Sequence, residues 1–116
     1  MRKSSFVYVA SAGKKGRGVF ASKKLKKGET IELAPFILIP PKADKKLTGT
    51  IIESYWFEVK GKWTALGLGF TSLYNHSEKP NATFFINQKS RTIRIQATQQ
   101  IARDEEILIH YGYEIE

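Results

Sequence analysis

Cysteine is absent from the 116 residues. That excludes a disulfide-stapled scaffold and any thiolate-ligated metal. Only two histidines are present, His76 and His110, with no ligand-like spacing between them, so no metal centre is expected. Long apolar runs are missing too. None approaches the roughly 20 residues that a membrane-spanning helix needs, and the apolar stretch after Arg2 and Lys3 is too short for a secretory signal. The expectation is a soluble intracellular protein with no membrane partner, in the cytoplasm or, for a viral protein or effector, in a host nucleus. Acidic residues are scarce, 11 against 19 basic ones, for a formal charge of +8. The length suits one domain over 1–116 with a modest core.

The charge is lopsided. Lys14, Lys15, Arg17, Lys23, Lys24, Lys26, Lys27, Lys42, Lys45 and Lys46 crowd the first half, whereas the chain from Trp63 onward is nearly balanced. A one-sided basic face suits DNA, a nucleoprotein particle or an acidic protein surface; it serves solubility equally well. Aromatic residues do not interleave with these lysines, which argues against a dedicated single-strand-binding surface.

Short β-branched and aromatic runs bounded by Gly and Pro dominate, and no long helical period is present. Strands are expected over 6–10, 19–22, 30–35, 36–39, 82–87, 91–97 and 106–111. The two pieces around Pro35 read as separated by a proline kink. Residues 55–59 and 62–65 read as a hairpin around Lys60-Gly61. Ile93, Ile95 and Ala97 alternate with Arg94 and Gln96, which puts one face inside. Residues 42–54 carry no clear signal, and 71–75 suit a helical turn. The class is mostly β.

Several short motifs carry chemistry or mimic it. Gly16-Arg17-Gly18 lacks the third glycine of a dinucleotide fingerprint and opens no helix, so by itself it is a tight turn. Ser77 adjoins His76 and no third member is evident, which removes a Ser-His-Asp triad. Asn81-Ala82-Thr83 matches a glycosylation acceptor by chance, absent secretion. Phe57 serves a hairpin core as readily as a ligand wall, and Trp56 serves a core more readily. Tyr111, ending a strand before Gly112, is by residue type a core or surface ring.

In this order, Gly16-Arg17-Gly18-Val19-Phe20-Ala21, the stretch Leu73-Tyr74-Asn75-His76-Ser77-Glu78-Lys79-Pro80-Asn81-Ala82, and Glu105-Glu106-Ile107-Leu108-Ile109-His110-Tyr111-Gly112 resemble the signature of SET-domain protein lysine methyltransferases, in the minimal form of bacteria and some large viruses. Ser54-Tyr55-Trp56-Phe57 resembles the family's Ser-Tyr-x-Phe stretch. The resemblance implies a β-clip-like SET fold with a C-terminal pseudoknot. It also implies S-adenosylmethionine-dependent methyl transfer to the ε-amine of a lysine on a histone or another basic protein. Cofactor contacts would come from Lys15, Gly16, Arg17, Gly18, Tyr55, Asn75 and His76. Tyr111 would be catalytic, and Tyr55, Phe57, Ile109 and Tyr113 would line the substrate channel.

The chain departs from the family pattern in three places. Ile109 stands where relatives often carry Phe or Tyr, which leans towards higher methylation states. His110 stands where Asp is common. No cysteine-rich post-SET segment follows Gly112, and the site would be completed by a second subunit, by the substrate, or not at all. Two rival readings stand beside the enzyme: a non-catalytic SET-like binding module, and a basic nucleic-acid or chromatin-associated protein.

Overall fold

A computed structural model describes residues 6–40, 43, 46, 56–59 and 63–111. In chain order these form β1 (Val7–Ser11), a single 3-10 turn (Gly13–Lys15), β2 (Arg17–Ala21), β3 (Thr30–Ile39), β4 (Trp56–Val59), β5 (Trp63–Gly67), β6 (Asn75–His76), β7 (Ala82–Asn87), β8 (Thr92–Ala97) and β9 (Leu108–Ile109). They build three small sheets: a β1-β2 hairpin, a five-stranded sheet in the order β4-β5-β3-β8-β7, and a β6-β9 pair. The five-stranded sheet is antiparallel throughout, whereas β6 and β9 run parallel. No described helix is long and apolar enough to cross a membrane.

The alternation in β8 is realised. Ile93, Ile95 and Ala97 point into the core, with Ile93 and Ile95 fully buried, each contributing about 1.5–3 kcal/mol of apolar burial. Val7, Val19, Ala21, Leu25, Ile107 and Ile109 join them from the N- and C-terminal segments, so one core underlies all three sheets.

Pro35 does not divide the chain into two strands. β3 runs unbroken through it, and what changes is the partner: 30–35 pair with β8 and 36–39 with β5. A proline can sit at such a switch because its missing N–H is tolerated where a ladder changes hands. Phe36 N–H then donates to the Arg91 carbonyl, and the Pro35 carbonyl accepts from Leu68 N–H.

The expected last strand over 106–111 is instead a bridge at Glu106 and the two residues of β9. This segment is hydrogen-bonded on two sides, which is why it is not a simple ladder. Ala21 N–H donates to Glu105 O and Ile107 N–H to Val19 O, tying it to β2. Ser77 N–H donates to Ile109 O and Asn81 N–H to Leu108 O, tying it to the stretch after β6. The Asn81 side chain, nearly fully buried, completes the clasp by accepting from Leu108 N–H at 2.8 Å and donating to Glu106 O at 2.9 Å. Its amide thus serves internal satisfaction, as buried polar groups must.

Candidate active site

The loop from Leu68 to Tyr74 carries one wall of the site, and a part-buried carboxylate on β3 holds it in place. Glu32 accepts Phe70 N–H at 2.8 Å and Tyr74 O–H at 2.7 Å. Burial raises the Glu32 carboxyl above its ordinary range, although both hydrogen bonds act the other way. Tyr74 is pushed well above 10 by burial first and then by the Glu32 charge and hydrogen bond. Gly69 lets the loop pass this close: its φ is +62°, and a Cβ there would stand 2.6 Å from Glu32 Oε2.

Asn75 follows at the start of β6. Its side-chain amide donates to Arg17 O at 3.1 Å and to Glu106 Oε2 at 2.8 Å. Glu106 Oε1 takes the Lys15 ammonium at 2.5 Å. The 3-10 turn, β2, β6 and the C-terminal segment therefore meet in one polar cluster. Gly18 is buried beneath it, and a Cβ there would stand 2.5 Å from Glu106 Oε2 and 2.9 Å from Asn75 Nδ2. Gly16 differs. It is exposed, its φ is +82°, and a Cβ would meet nothing within 4 Å.

Tyr111 completes the arrangement. Its hydroxyl donates to the Tyr74 carbonyl, and its N–H donates to His76 Nδ1 at 3.0 Å. The ring lies 6.0 Å from Phe57 and 5.7 Å from His76, edge to face in both cases. Because Nδ1 accepts, neutral His76 carries its proton on Nε2, and that N–H donates to Glu78 Oε1 at 3.2 Å.

Lys15, Gly16, Arg17, Ser72, Leu73, Asn75, His76 and Tyr111 line one cavity of about 490 Å³, within the size range of small-molecule and cofactor sites. Residues from three distant segments, Tyr111 among them, thus form a single concave surface.

A family model for the SET domain matches residues 16–112. The chain belongs to the SET-domain family. Among curated proteins this SET domain is similar to the histone-lysine N-methyltransferase of Schizosaccharomyces pombe that is specific for H3 lysine-37. The two are 30% identical over 101 residues, which cover 85% of this chain and 68% of the relative. Among solved structures it is similar to a Plasmodium falciparum protein assigned as a histone methyltransferase. There the TM-score is 0.73 at 32% identity, covering 94% of this chain and 99% of the other. Both similarities support a protein-lysine methyltransferase, on a mostly β SET fold.

Of the residues singled out from sequence, Lys15, Gly16, Arg17, Asn75, His76 and Tyr111 stand on this cavity. Gly18 lies under it and serves the approach of Glu106 and Asn75. Phe57 packs between Phe84, at 4.8 Å, and Tyr111. Ile109 is fully buried in the core and is not among the cavity-lining residues. Tyr55 and Tyr113 lie outside the described residues, as does the Lys60-Gly61 turn.

Sequence reading missed Ser72, Leu73, Glu106 and Glu32. Ser72 and Leu73 reach the cavity because Glu32 pins their loop from 38 residues away, at Phe70. Glu106 sits within a motif that was noticed for its tyrosine, and a single acidic residue in a strand carries no local sign of a partner 91 positions upstream.

Proposed function

We propose that this SET domain binds S-adenosylmethionine in the cavity bounded by Lys15–Arg17 and Asn75, and transfers its methyl group to the ε-amine of a lysine on a histone-type protein. The observation that carries this reading is the meeting of Lys15, Gly16, Arg17, Asn75, His76 and Tyr111 on one cavity. The residues suit the cofactor. Gly16 leaves open space where a Cβ would stand, and the Asn75 amide is held by Arg17 O and Glu106. The cofactor, when bound, supplies an electrophilic methyl carbon on a sulfonium.

The chain's own residues then have defined tasks. Tyr111 donates its hydroxyl proton to Tyr74 O, so towards an amine its oxygen is an acceptor. It would take an N–H of the lysine and aim the nitrogen lone pair at the methyl carbon. The amine must be neutral, whereas free lysine has a pKa of about 10.4. Partial desolvation against Phe57 and Tyr111, and the nearby positive charge, both disfavour the ammonium, so no strong base need be built in. The lysine nitrogen lone pair would form the N–CH3 bond as the S–CH3 bond of the bound donor breaks, and the methylated ammonium would lose its proton to solvent. His76 acts as a positioning residue by fixing the Tyr111 backbone.

The test is methyl transfer from labelled cofactor to core histones, with the product mapped by mass spectrometry, for wild type and Tyr111→Phe. Loss of the orienting hydroxyl is expected to lower transfer by about 10²-fold in a variant that still binds cofactor. A folded Tyr111→Phe protein that transfers methyl at the wild-type rate removes Tyr111 from the reaction.

A further inference from the structure

On the face of β6 and β9 beside the cavity, three side chains converge that the transfer reaction does not require as a group. Glu78 Oε1 lies 3.2 Å from His76 Nε2, and Glu78 Oε2 lies 3.2 Å from His110 Nε2. One donor atom from each of the three lies within 4.8 Å of the others. The two imidazole rings stand 4.5 Å apart. Backbone holds them there: His76 pairs with Ile109 in the parallel β6-β9 ladder, and Ser77 N–H donates to Ile109 O. The carboxylate is solvent-facing, 81% exposed, and both rings are reached from solvent. The Glu78 carboxyl is held below its usual range by the hydrogen bonds from His76 and then His110.

We propose that His76, Glu78 and His110 bind a divalent transition-metal ion of the zinc class, and that this occupancy releases Tyr111. Two imidazoles and one carboxylate, with water in the fourth position, are an established donor set for zinc. A tetrahedral ion with bonds of about 2.0–2.1 Å separates neighbouring donors by about 3.3–3.4 Å. One donor atom from each residue already lies within 4.8 Å of the others, and the exposed Glu78 carboxylate, which now gives one oxygen to each ring at 3.2 Å, would turn to offer a single oxygen to the ion.

The coupling follows from the two nitrogens of one ring. His76 Nδ1 accepts the Tyr111 N–H only because the ring proton sits on Nε2. An ion on Nε2 takes that lone pair and leaves the neutral ring's proton on Nδ1. Two N–H donors would then face each other across 3.0 Å. The metal-bound state and the anchored Tyr111 backbone exclude one another, and zinc would inhibit methyl transfer by moving Tyr111 without occupying the cavity. The inhibitory half of the proposal rests on the role given to Tyr111 above; the binding half does not.

The experiment titrates zinc alone into the full chain against a chromophoric chelator. It is accompanied by nitrogen-15 spectra of the imidazoles and by methyl-transfer assays, for wild type, His110→Ala and Glu78→Gln. One ion per wild-type chain is expected, with affinity at least about 10–100-fold weaker in His110→Ala, since even outer-shell partners of a metal cost that much. His76 is expected to change from the Nε2–H to the Nδ1–H form on loading, and zinc is expected to depress transfer in wild type but not in His110→Ala. No saturable binding, or equal binding by His110→Ala, overturns the site. Binding with a tautomer change but undiminished transfer overturns the coupling. A wild type that binds zinc as expected yet transfers no methyl group when zinc-free counts against the enzymatic reading and leaves the site standing.

Discussion

Asn75 and Glu106 are 31 residues apart and share a 2.8 Å hydrogen bond, and the same Asn75 nitrogen also reaches the Arg17 carbonyl. This one amide joins the N-terminal loop, the short β6 strand and the C-terminal segment at the edge of the cavity. The Lys15–Glu106 ion pair closes the cluster from the other side. An exposed pair of this kind adds little stability, about 0–1 kcal/mol; its use lies in positioning Glu106.

Asn75→Ala is therefore expected to affect binding more than folding. Loss of two hydrogen bonds at a half-buried position should cost about 1–3 kcal/mol of stability. Cofactor affinity should fall at least about 10-fold, the equivalent of about 1.4 kcal/mol. Calorimetric titration with S-adenosylmethionine, paired with thermal melts, separates the two. Unchanged affinity would show that the amide serves only the fold.

Gly18→Ala and Gly16→Ala should fail in different ways. At Gly18 the new methyl group meets the ends of Glu106 and Asn75, side chains that can swing aside, so the stability loss stays near the low end of about 1–3 kcal/mol. Moving them breaks the cluster, and cofactor affinity should fall more than the melting temperature suggests. At Gly16 space is open, but φ +82° and ψ −131° are glycine territory, so alanine strains the turn by about 1–3 kcal/mol. Comparing affinity loss with melting shift across the two variants checks this. Parallel losses in both would refute the distinction.

Stability should depend on pH through Glu32 and Tyr74. Both folded values are raised, so both groups resist losing their protons in the folded state. The Glu32 contribution is complete below its unfolded value near 4.5 and is lost as pH rises through its higher folded value. The Tyr74 contribution is lost only as pH rises above about 10. Denaturant titrations across pH should show Glu32→Gln lacking the acid-side decline while keeping the alkaline one. A Glu32→Gln profile parallel to wild type at every pH would refute the assignment.

Much of the fold could be read locally. Alternation marked β8, turn residues bounded β7, and the paired runs around Lys60-Gly61 appear as β4 and β5 joined in register from Trp56↔Leu66 to Val59↔Trp63. The misreadings share one cause. Pro35 looked like a break because its missing N–H is visible in sequence, whereas the exchange of partners that accommodates it is not. The segment over 106–111 reads as one strand from its run Ile107-Leu108-Ile109, yet it divides its hydrogen bonds between β2 and the chain after β6.

The amino-acid order alone determined the β-rich class, the family and six of the eight residues that border the cavity, all but Ser72 and Leu73, because strand periodicity and motif spacing belong to neighbours along the chain. Only the tertiary structure decided that Lys15 meets Glu106, that Glu32 anchors the loop bearing Ser72 and Leu73, and that two histidines gather around Glu78. Such contacts depend on how separate segments come into register, and that is set by the packing of the common core, which no single stretch of residues encodes.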